Sequence, residues 1–515
     1  MKNFTTILII LAINFSIFSQ APGTPDASFG INGTVISTIG NGLSWCNSIQ
    51  IQNDEKIIAA GHSLNNGYTV NTLVRYNADG SMDNSFGTNG IVTFFVGQQS
   101  WINDIVLRND GKILTAGVSK INDSTYNWTV SRYYTDGAPD LTFGNNGCAF
   151  VNVENSSLLY NMETQSNGKI VVTGYSTNGV QMGISCARFL SDGSLDSDFG
   201  NGGISIVKYP ESPDVEAWAM KLDASDRIVT TGMFADLGMG RNKIAVNRFL
   251  STGIPDSTFG LNGMVVTSLG NTDDFGNALA IQNDGKIVIA ASSMNRAVII
   301  RYENNGTLDS SFGNNGIIIT NFETGENAEA YGIAIQQDGK IIVTGVSGPN
   351  AQNANGNYGI IRLNADGTFD NSFGTEGKTV TDISNGHNDV AFSVLEQNDG
   401  KIVAAGISHN GICYNISLAR YHGTATGQDM LNSKNLFTVY PNPASKFIVI
   451  EAESDFLINT KIEVISLMGE IIISCFMKNE NFKIDISNLE DGVYFLKTHF
   501  LNKNKIQKIV VQNEK

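Results

Sequence analysis

The motif Asp-x-x-Phe-Gly recurs seven times in this 515-residue chain, and its phenylalanines follow one another at intervals of 57, 57, 56, 60, 53 and 61 residues. An aspartate lies three residues before each phenylalanine, and a glycine lies four residues after it. The phenylalanines are Phe29, Phe86, Phe143, Phe199, Phe259, Phe312 and Phe373. A catalytic carboxylate is needed once, whereas a structural one is needed in every repeat, so the pattern predicts seven copies of one structural unit.

Each unit has the sequence pattern of four β-strands. In residues 313–363 the segments GNNGIIITNF, AYGIAIQ, KIIVTGVS and YGIIRLN are rich in β-branched residues, and no helical period persists. An Asp-Gly pair between the two middle strands predicts a hairpin turn in which both central residues take positive φ. Glu55 and Asp226 replace the turn glycine in two units, where strained or differently built turns are expected. The other five units keep Gly111, Gly168, Gly285, Gly339 and Gly400.

Seven units of four strands predict an all-β fold, a seven-bladed β-propeller in which neighbouring sheets cover each other's faces, over residues 21–422. A linear solenoid is the alternative, but the chain ends favour a closed circle. The last unit stops at SLARYH (417–422) without an Asp-x-x-Phe-Gly segment, and residues 25–38, PDASFGINGTVIST, supply that segment. The first segment is therefore expected to complete the last sheet.

The closing strand of each unit carries an arginine on its apolar face, where a charge needs a partner. These residues are Arg75, Arg132, Arg188, Arg248, Arg301, Arg362 and Arg420. A planar guanidinium suits a carboxylate, so each arginine is predicted to pair with the Phe-Gly aspartate that follows it, as in Arg75 with Asp83 and Arg301 with Asp309. Arg420 is predicted to pair with Asp26, from the other end of the chain.

The repeated units resemble delta-60 repeats, which occur in secreted bacterial proteins and are similar to β-propeller blades. The resemblance covers about residues 25–422, because several positions recur together in every unit. It implies a scaffold that is not tied to one activity.

A polar segment at 423–435 reads as a linker, and residues 436–515 contain short alternating strands typical of a small Ig-like β-sandwich. This segment is similar to the type A C-terminal sorting domain of the type IX secretion system. The matching pieces are Tyr440-Pro441-Asn442-Pro443, Met468-Gly469-Glu470, Leu489-x-x-Gly492-Val493-Tyr494 and Lys508-Ile509-Val510-Val511. The resemblance implies passage through the type IX machinery of a Bacteroidota-type cell, followed by cleavage and by release or attachment to lipopolysaccharide. An ordinary adhesion sandwich is the alternative.

Residues 1–20 are predicted to be a secretory signal peptide, because Lys2 precedes the apolar run ILIILAI and small residues precede Ala21. No other stretch approaches eighteen apolar residues, so no transmembrane segment is predicted. The formal net charge of −16 disfavours nucleic acid and anionic membranes as partners. The expected location is the outer cell surface or the extracellular space.

If the repeated positions are scaffold, function must lie in the loops that differ between units. The loops before the middle hairpin are acidic in the later units, and equivalent loops share one face of a propeller. Their carboxylates are Asp214, Glu216, Asp273, Asp274, Glu326, Glu329 and Asp389. Such a face could bind calcium, a basic ligand or a sugar, or could simply keep the protein soluble. No EF-hand loop is present, and no cofactor is predicted.

Trp45 and Trp101 occupy the same relative position in the first two units, where they could stack against a sugar or pack between sheets. His62 and His409 could be neighbours where the chain ends meet. No serine-hydrolase elbow, phosphate-binding loop or nicotinamide fingerprint appears. The sequence therefore favours a non-catalytic propeller that binds an extracellular glycan, protein or surface component. A polysaccharide hydrolase or lyase and a purely structural surface protein are the alternatives.

Overall fold

The computed structural model describes residues 21–40, 42–122, 125–323, 326–349, 355–424, 437–452, 461–466, 471–478, 481–500 and 503–512. Throughout these ranges the regular secondary structure consists of β-strands. The described residues fall into two compact units, 21–424 and 437–512. The predicted signal peptide, most of the predicted linker and the Met468-Gly469-Glu470 piece lie outside the described residues.

The first unit contains 28 strands within the described ranges. They are β1 (Thr34–Ser37), β2 (Ser44–Ile51), β3 (Ile57–Asn65), β4 (Tyr68–Tyr76), β5 (Ile91–Phe94), β6 (Gln99–Leu107), β7 (Ile113–Asn122), β8 (Thr125–Tyr133), β9 (Cys148–Val151), β10 (Ser156–Thr164), β11 (Ile170–Thr177), β12 (Met182–Phe189), β13 (Ile204–Val207), β14 (Val215–Leu222), β15 (Ile228–Asp236), β16 (Arg241–Phe249), β17 (Met264–Thr267), β18 (Asp274–Ile281), β19 (Ile287–Ser293), β20 (Arg296–Tyr302), β21 (Ile317–Thr320), β22 (Asn327–Ile335), β23 (Ile341–Gly348), β24 (Asn357–Leu363), β25 (Lys378–Thr381), β26 (Asp389–Glu396), β27 (Ile402–His409) and β28 (Tyr414–Tyr421).

In the described part of this unit the strands form seven four-stranded antiparallel sheets. Six sheets use four consecutive strands, from β2–β5 through to β22–β25, and the seventh has the order β1-β28-β27-β26. In that seventh sheet Thr34 lies opposite Ala419, and Ser37 lies opposite Ile416. The first segment of the unit therefore completes the last sheet, as the sequence predicts.

The seven sheets form a closed circle around their first strands, which we call the inner strands: β2, β6, β10, β14, β18, β22 and β26. Each inner strand contacts the next one, and β26 contacts β2. Neighbouring sheets share hydrophobic cores, because the middle strands carry apolar residues on both faces, as in β19, where all seven residues are buried. Between the first and last sheets Ile49 and Ala59 pack with Val403 and Leu418, and each of these is at most 1% exposed.

The structure brings every repeated arginine together with a repeated aspartate. Across the seven pairs a guanidinium nitrogen lies 2.6–2.9 Å from an aspartate oxygen, including Arg75–Asp83, Arg301–Asp309 and Arg420–Asp26. The seven guanidinium carbons also lie 4.4–4.7 Å from the ring centroids of the Phe-Gly phenylalanines. The buried positive charge is therefore satisfied by a carboxylate and by an aromatic face.

The same guanidinium also joins neighbouring sheets, because its Nη1 donates a hydrogen bond to a backbone carbonyl in the turn of the next sheet. At the chain ends Arg420 donates to the carbonyl of Ala78, so the last sheet is tied to the first. The acceptors for the other six arginines, in chain order, are the carbonyls of Thr135, Ser191, Ser251, Asn304, Ala365 and Gly423.

The predicted hairpin turns join the first and second strands of each sheet, and their backbone conformation differs from the prediction. Positive φ occurs at the third loop residue, Gly111 (φ 79°), and the second loop residue does not adopt it. Arg108 N donates to Lys112 O at 2.9 Å, which is the pattern of a three-residue loop with one left-handed position, so the expectation of two positive φ values is wrong. Glu55 (φ 66°) and Asp226 (φ 57°) adopt the same conformation as the glycine, so their turns are strained but not differently built.

The second unit contains two sheets in its described residues, with the orders β29-β30-β33 and β32-β31-β34-β35. Its core includes Ile448 and Ile450 from one sheet and Ile462, Val464 and Leu496 from the other, all fully buried. Two sheets that share one core make a sandwich. The strands are β29 (Phe437–Tyr440), β30 (Phe447–Ala452), β31 (Lys461–Ile465), β32 (Ile471–Phe476), β33 (Asn481–Asp485), β34 (Gly492–Phe500) and β35 (Lys503–Val511).

We predict that Arg301→Ala markedly lowers the melting temperature. The substitution leaves the buried Asp309 carboxylate without its guanidinium, and breaking a buried pair costs about 3–5 kcal/mol. Differential scanning calorimetry of the two proteins measures the effect. Arg296→Ala is the control, because it removes an exposed arginine from the same strand. It should change the melting temperature by no more than about 1 °C. If Arg301→Ala had the same melting temperature as the parent protein, the structural role of the Arg301–Asp309 pair would be contradicted.

We also predict that acid destabilises the first unit through these aspartates. Burial by itself raises the pKa of Asp309, but hydrogen bonds from Lys286 and Ser311 outweigh burial and hold that pKa far below its ordinary value. At pH values above the unfolded-state pKa of about 3.9, the Asp309 carboxylate makes its full contribution to the stability of the folded state. Below that pH the unfolded chain binds protons before the folded chain does. The free energy of unfolding therefore falls as the pH falls.

Urea unfolding at pH 7, 5, 3 and 2 measures this dependence. Asp309→Asn should be less stable than the parent protein at pH 7, and the difference should shrink toward pH 2. Asp284→Asn, in an exposed turn, is the control, and its difference from the parent should not vary in this way. A constant free energy of unfolding from pH 5 to pH 2 would refute the explanation.

Candidate functional site

Each inner strand contains one extra residue that has no partner on the neighbouring strand of its sheet. These bulges are visible as register shifts, for example between Cys46 and Ser48. A bulge redirects the side chain that it carries. The seven bulge residues are Asn47, Asn103, Tyr160, Trp218, Asn277, Tyr331 and Phe392. All seven line one cavity of about 590 Å³, which is bounded by the inner strands.

Three of the bulge residues are asparagines that tie one sheet to the next. Asn47 Nδ2 donates to Ile102 O at 2.7 Å, Asn103 Nδ2 to Leu159 O, and Asn277 Nδ2 to Ala330 O at 2.8 Å. An asparagine at this position therefore has a sufficient structural explanation.

The other four bulge residues are aromatic, half-buried, and grouped on two arcs of the cavity. On one arc the ring centroids of Tyr160 and Tyr175 are 6.0 Å apart, and those of Trp218 and Phe275 are stacked at 5.7 Å. On the other arc Tyr331 lies 5.5 Å from Phe392. Trp218 and Tyr331 donate instead to carboxylates of their own strands, and Phe392 has no donor, so these positions differ from the asparagines in their contacts.

The second arc continues into an aromatic cluster at the join of the first and last sheets. Trp45 contacts Phe392 at 5.9 Å and Tyr414 at 5.4 Å, and it stacks on His62 at 6.0 Å. His409 contacts Tyr414 at 4.9 Å. Burial lowers the pKa of His62 to about 4, so this side chain is neutral near pH 7. Trp45 thus packs between sheets and also extends an aromatic surface.

Trp101, at the equivalent position of the second sheet, contacts Tyr126 of its own sheet at 5.9 Å. The structure therefore gives the two predicted tryptophans different neighbours. Trp45 lies beside the aromatic bulge residue of another sheet, and Trp101 does not.

Of the acidic residues considered from sequence, Asp214 and Glu216 lie beside the first arc. Glu216 Oε2 accepts a hydrogen bond from Trp218 Nε1 at 2.6 Å. Burial, together with the neighbouring Asp214 carboxylate, raises the pKa of Glu216 to about 7. Burial also raises the pKa of Asp214, and its Oδ1 is buried without a hydrogen-bond partner among the described residues. In the second arc Glu329 likewise accepts a hydrogen bond from the bulge residue two positions later, here from the hydroxyl of Tyr331.

The remaining acidic residues have structural partners or lie elsewhere. Asp274 and Asp389 are fully buried, so they do not belong to an exposed face. Asp274 accepts from Leu269 N at 2.8 Å, and Asp389 accepts from Ile383 N at 2.7 Å, which holds the preceding loop against each strand. Asp273 accepts from Asn242 N at 2.8 Å, and Glu326 lies half-buried before β22.

A polar network from four neighbouring sheets lies along the same cavity. Asp104 Oδ1 accepts from Ser48 Oγ at 2.9 Å, and its Oδ2 accepts from Met162 N at 2.9 Å. Lys221 pairs with Glu163. Burial raises the pKa of Asp104 to about 6. The sequence alone did not single out these residues, because their partners are 56–58 residues away along the chain.

The motif of the second unit is held against the last strand. Asn442 Nδ2 donates to Lys508 O at 3.0 Å, and Asn442 Oδ1 accepts from Val510 N at 2.8 Å. The peptide bonds before Pro441 and Pro443 are cis. Gly492 begins β34, and the hydroxyl of Tyr494 donates to Glu490 O at 3.1 Å. The separate pieces that carry the resemblance, Tyr440 to Pro443 and the final strand, thus meet in space.

Within the described residues no cluster of three or more His, Cys, Asp or Glu side chains could hold a metal ion. The same part of the chain contains no helix with the length and apolar character needed to span a bilayer.

Comparison with known proteins gives two family matches. Residues 438–512 match the secretion system C-terminal sorting domain. A β-propeller domain of unknown function, DUF5122, matches residues 52–86, 108–143, 165–199, 282–312 and 336–373. No curated protein matches the chain.

Among solved structures, PorZ, a bacterial surface component of the type IX secretion system of Porphyromonas gingivalis, is 12% identical, with a TM-score of 0.32 over 90% of this chain and 68% of PorZ. An ulvan lyase of family PL25 is 10% identical, with a TM-score of 0.43 over 76% of this chain and 97% of the lyase. A protein from Lactobacillus plantarum is 11% identical, with a TM-score of 0.41 over 84% and 99% of the two chains.

The family matches agree with the resemblances read from the repeats and from the C-terminal motif. A sorting domain of this kind implies handling by the type IX system and export to the cell surface or the extracellular space. The chain is a β-propeller protein with a C-terminal type IX secretion sorting domain.

Proposed function

We propose that residues 21–424 form a seven-bladed propeller that binds a carbohydrate outside the cell, in the aromatic-lined cavity, without catalysing a reaction. One observation carries the proposal. Four of the seven bulge positions bear Tyr160, Trp218, Tyr331 and Phe392, where three others bear asparagines that tie the sheets together.

Aromatic side chains at these positions suit a sugar ligand. The C–H face of a pyranose ring is apolar and stacks on flat aromatic groups, whereas its hydroxyl edge needs hydrogen-bond partners. The cavity offers both kinds of surface, because its lining includes the rings of Tyr160 and Trp218 as well as the polar residues Asn47, Gln50 and Asn103. Its volume of about 590 Å³ accommodates a few sugar rings.

The sorting domain supports a location outside the cell for such binding. We infer that residues 1–20 direct export and are removed, and that residues 437–512 form an Ig-like sandwich read by the type IX machinery of a Bacteroidota-type cell. The mature propeller would then meet glycans or other surface components outside the outer membrane.

A polysaccharide-active enzyme is the second candidate, and Glu216 is the observation that favours it. A carboxyl group with a pKa of about 7 can act as a general acid or base near neutral pH. Burial and the Glu216 carboxylate raise the pKa of the neighbouring Tyr160 to about 12, so this hydroxyl stays protonated near neutral pH. Asp214 supplies a second carboxyl group in this arc, but its Oδ1 has no hydrogen-bond partner among the described residues that would position it for catalysis.

The test uses the purified mature chain, residues 21–515, on a glycan array, followed by calorimetry with the best ligand. Trp218→Ala and Phe392→Ala should each weaken binding at least about tenfold, because each removes a stacking surface from one arc. Phe95→Ala is the matched control, since it removes an aromatic side chain that is 51% exposed outside the cavity.

Binding that survives both cavity substitutions, or the absence of binding to any glycan, would overturn the proposal. Incubating the bound polysaccharide with the mature chain and measuring new reducing ends tests the second candidate. Release of sugar that is lost in Glu216→Gln would establish the enzyme instead.

A further inference from the structure

We propose that the first arc recognises a positively charged nitrogen, so that the ligand is an amino sugar or another organic ammonium. The inference rests on the proposed carbohydrate-binding function and names the class of ligand. We call the group formed by Tyr160, Tyr175, Trp218, Phe275, Glu216 and Asp214 the ammonium arc.

The geometry of the ammonium arc provides aromatic faces around a fixed carboxylate. Tyr160 and Tyr175 are inclined at 32°, and Trp218 and Phe275 at 28°, with all four rings half-buried. The hydrogen bond from Trp218 Nε1 holds Glu216 Oε2 at the edge of this aromatic group. Besides burial, the charge of the Glu216 carboxylate raises the pKa of both tyrosines.

The charge of the ammonium arc is uncompensated, unlike that of its surroundings. Nearby carboxylates have cationic partners: Glu154 lies 2.6 Å from Lys208, and Asp236 pairs with Lys243. Glu216 and Asp214 form no such pair with a lysine or arginine in the described chain, and Asp214 Oδ1 is buried without a partner there. Burying negative charge in this way is unfavourable unless a cation arrives.

The neighbouring groups select the kind of cation. Faces of tryptophan and tyrosine attract ammonium groups through their π electrons, and the attraction strengthens when water is excluded. A calcium ion instead needs six to eight oxygen ligands, whereas this arc offers two carboxylates. An ammonium group on a sugar satisfies both features at once, because its ring stacks on the aromatic faces while its nitrogen approaches Glu216.

The second arc has a single carboxylate, Glu329, in place of the Glu216 and Asp214 pair. Glu329 accepts a hydrogen bond from the Tyr331 hydroxyl, and the rest of that arc is formed by Phe392 and the neutral side chains of Trp45, Tyr414 and His62. We therefore assign the charged part of the ligand to the ammonium arc and uncharged sugar rings to the second arc.

The test measures the binding of two oligosaccharides to the mature chain, residues 21–515, by calorimetry at pH 8. One is a β-1,4-linked glucosamine tetramer with trimethylated nitrogens, whose positive charge does not depend on pH. The other is the N-acetylated tetramer, which keeps the sugar rings and the linkage but has no charge. The charged tetramer should bind at least about tenfold more tightly than the N-acetylated one.

Glu216→Gln should lose at least about tenfold in affinity for the charged tetramer and change by less than about twofold for the N-acetylated tetramer. Asp214→Asn should show a smaller loss with the same selectivity. Glu211→Gln, an exposed residue of the same segment, makes the same change in net charge and should leave both affinities unchanged. The melting temperature of each variant confirms that it is folded.

Equal affinities for the two tetramers, no binding of the charged tetramer, or an unaffected Glu216→Gln would each overturn the inference. If uncharged glycans still bind and require Trp218 or Phe392, the carbohydrate-binding function stands and this inference alone fails. If no glycan of either kind binds, both fail.

Discussion

The guanidinium of Arg301 and its six equivalents serves three neighbours at once, and the closed circle of sheets depends on this. Its Nε contacts an aspartate, its face covers the Phe-Gly phenylalanine, and its Nη1 reaches a carbonyl of the next sheet. A lysine could not reproduce this set, because only a planar fork presents donors in two directions while a flat face remains for stacking. Closure follows because Arg420 makes the same three contacts across the two chain ends.

The inner strands can carry different side chains from one sheet to the next, because the arginines join the sheets. Because the sheets are joined at their outer turns by the arginines, the bulge residues need not all be asparagines. Tyr160, Trp218, Tyr331 and Phe392 replace the amide without opening the circle. The cavity can therefore differ from one side to the other although the sheets around it are nearly equivalent. A repeated scaffold with unequal positions on its inner surface is the arrangement that we expect of a binding protein.

The fold could be predicted from the sequence because its signals are local and repeated. The signals are strand alternation, turn residues and the arginine–aspartate spacing, all of which lie within one unit. Because they recur in seven units, they are not coincidental. The bulges also left a signal, a glycine fourteen residues after the bulge residue in six units: Gly61, Gly117, Gly174, Gly232, Gly345 and Gly406. A Cβ at any of these glycines would come within 1.9–2.1 Å of a carbonyl oxygen on the inner strand. In the fifth sheet Ala291 replaces the glycine, and Gly276 lies opposite it.

The sequence by itself determined the strands, the repeated ion pairs and the secretion domain, since each depends on residues close together in the chain or on one compact segment. Only the tertiary structure decided which side chains share the cavity, because Tyr160 and Trp218 lie 58 residues apart and meet through packing between sheets. The tertiary structure also separated the acidic residues, since Asp274 and Asp389 are buried against their own loops while Glu216 lies beside aromatic rings. Burial and neighbouring charge set the role of a carboxylate, and both arise only when the sheets come together.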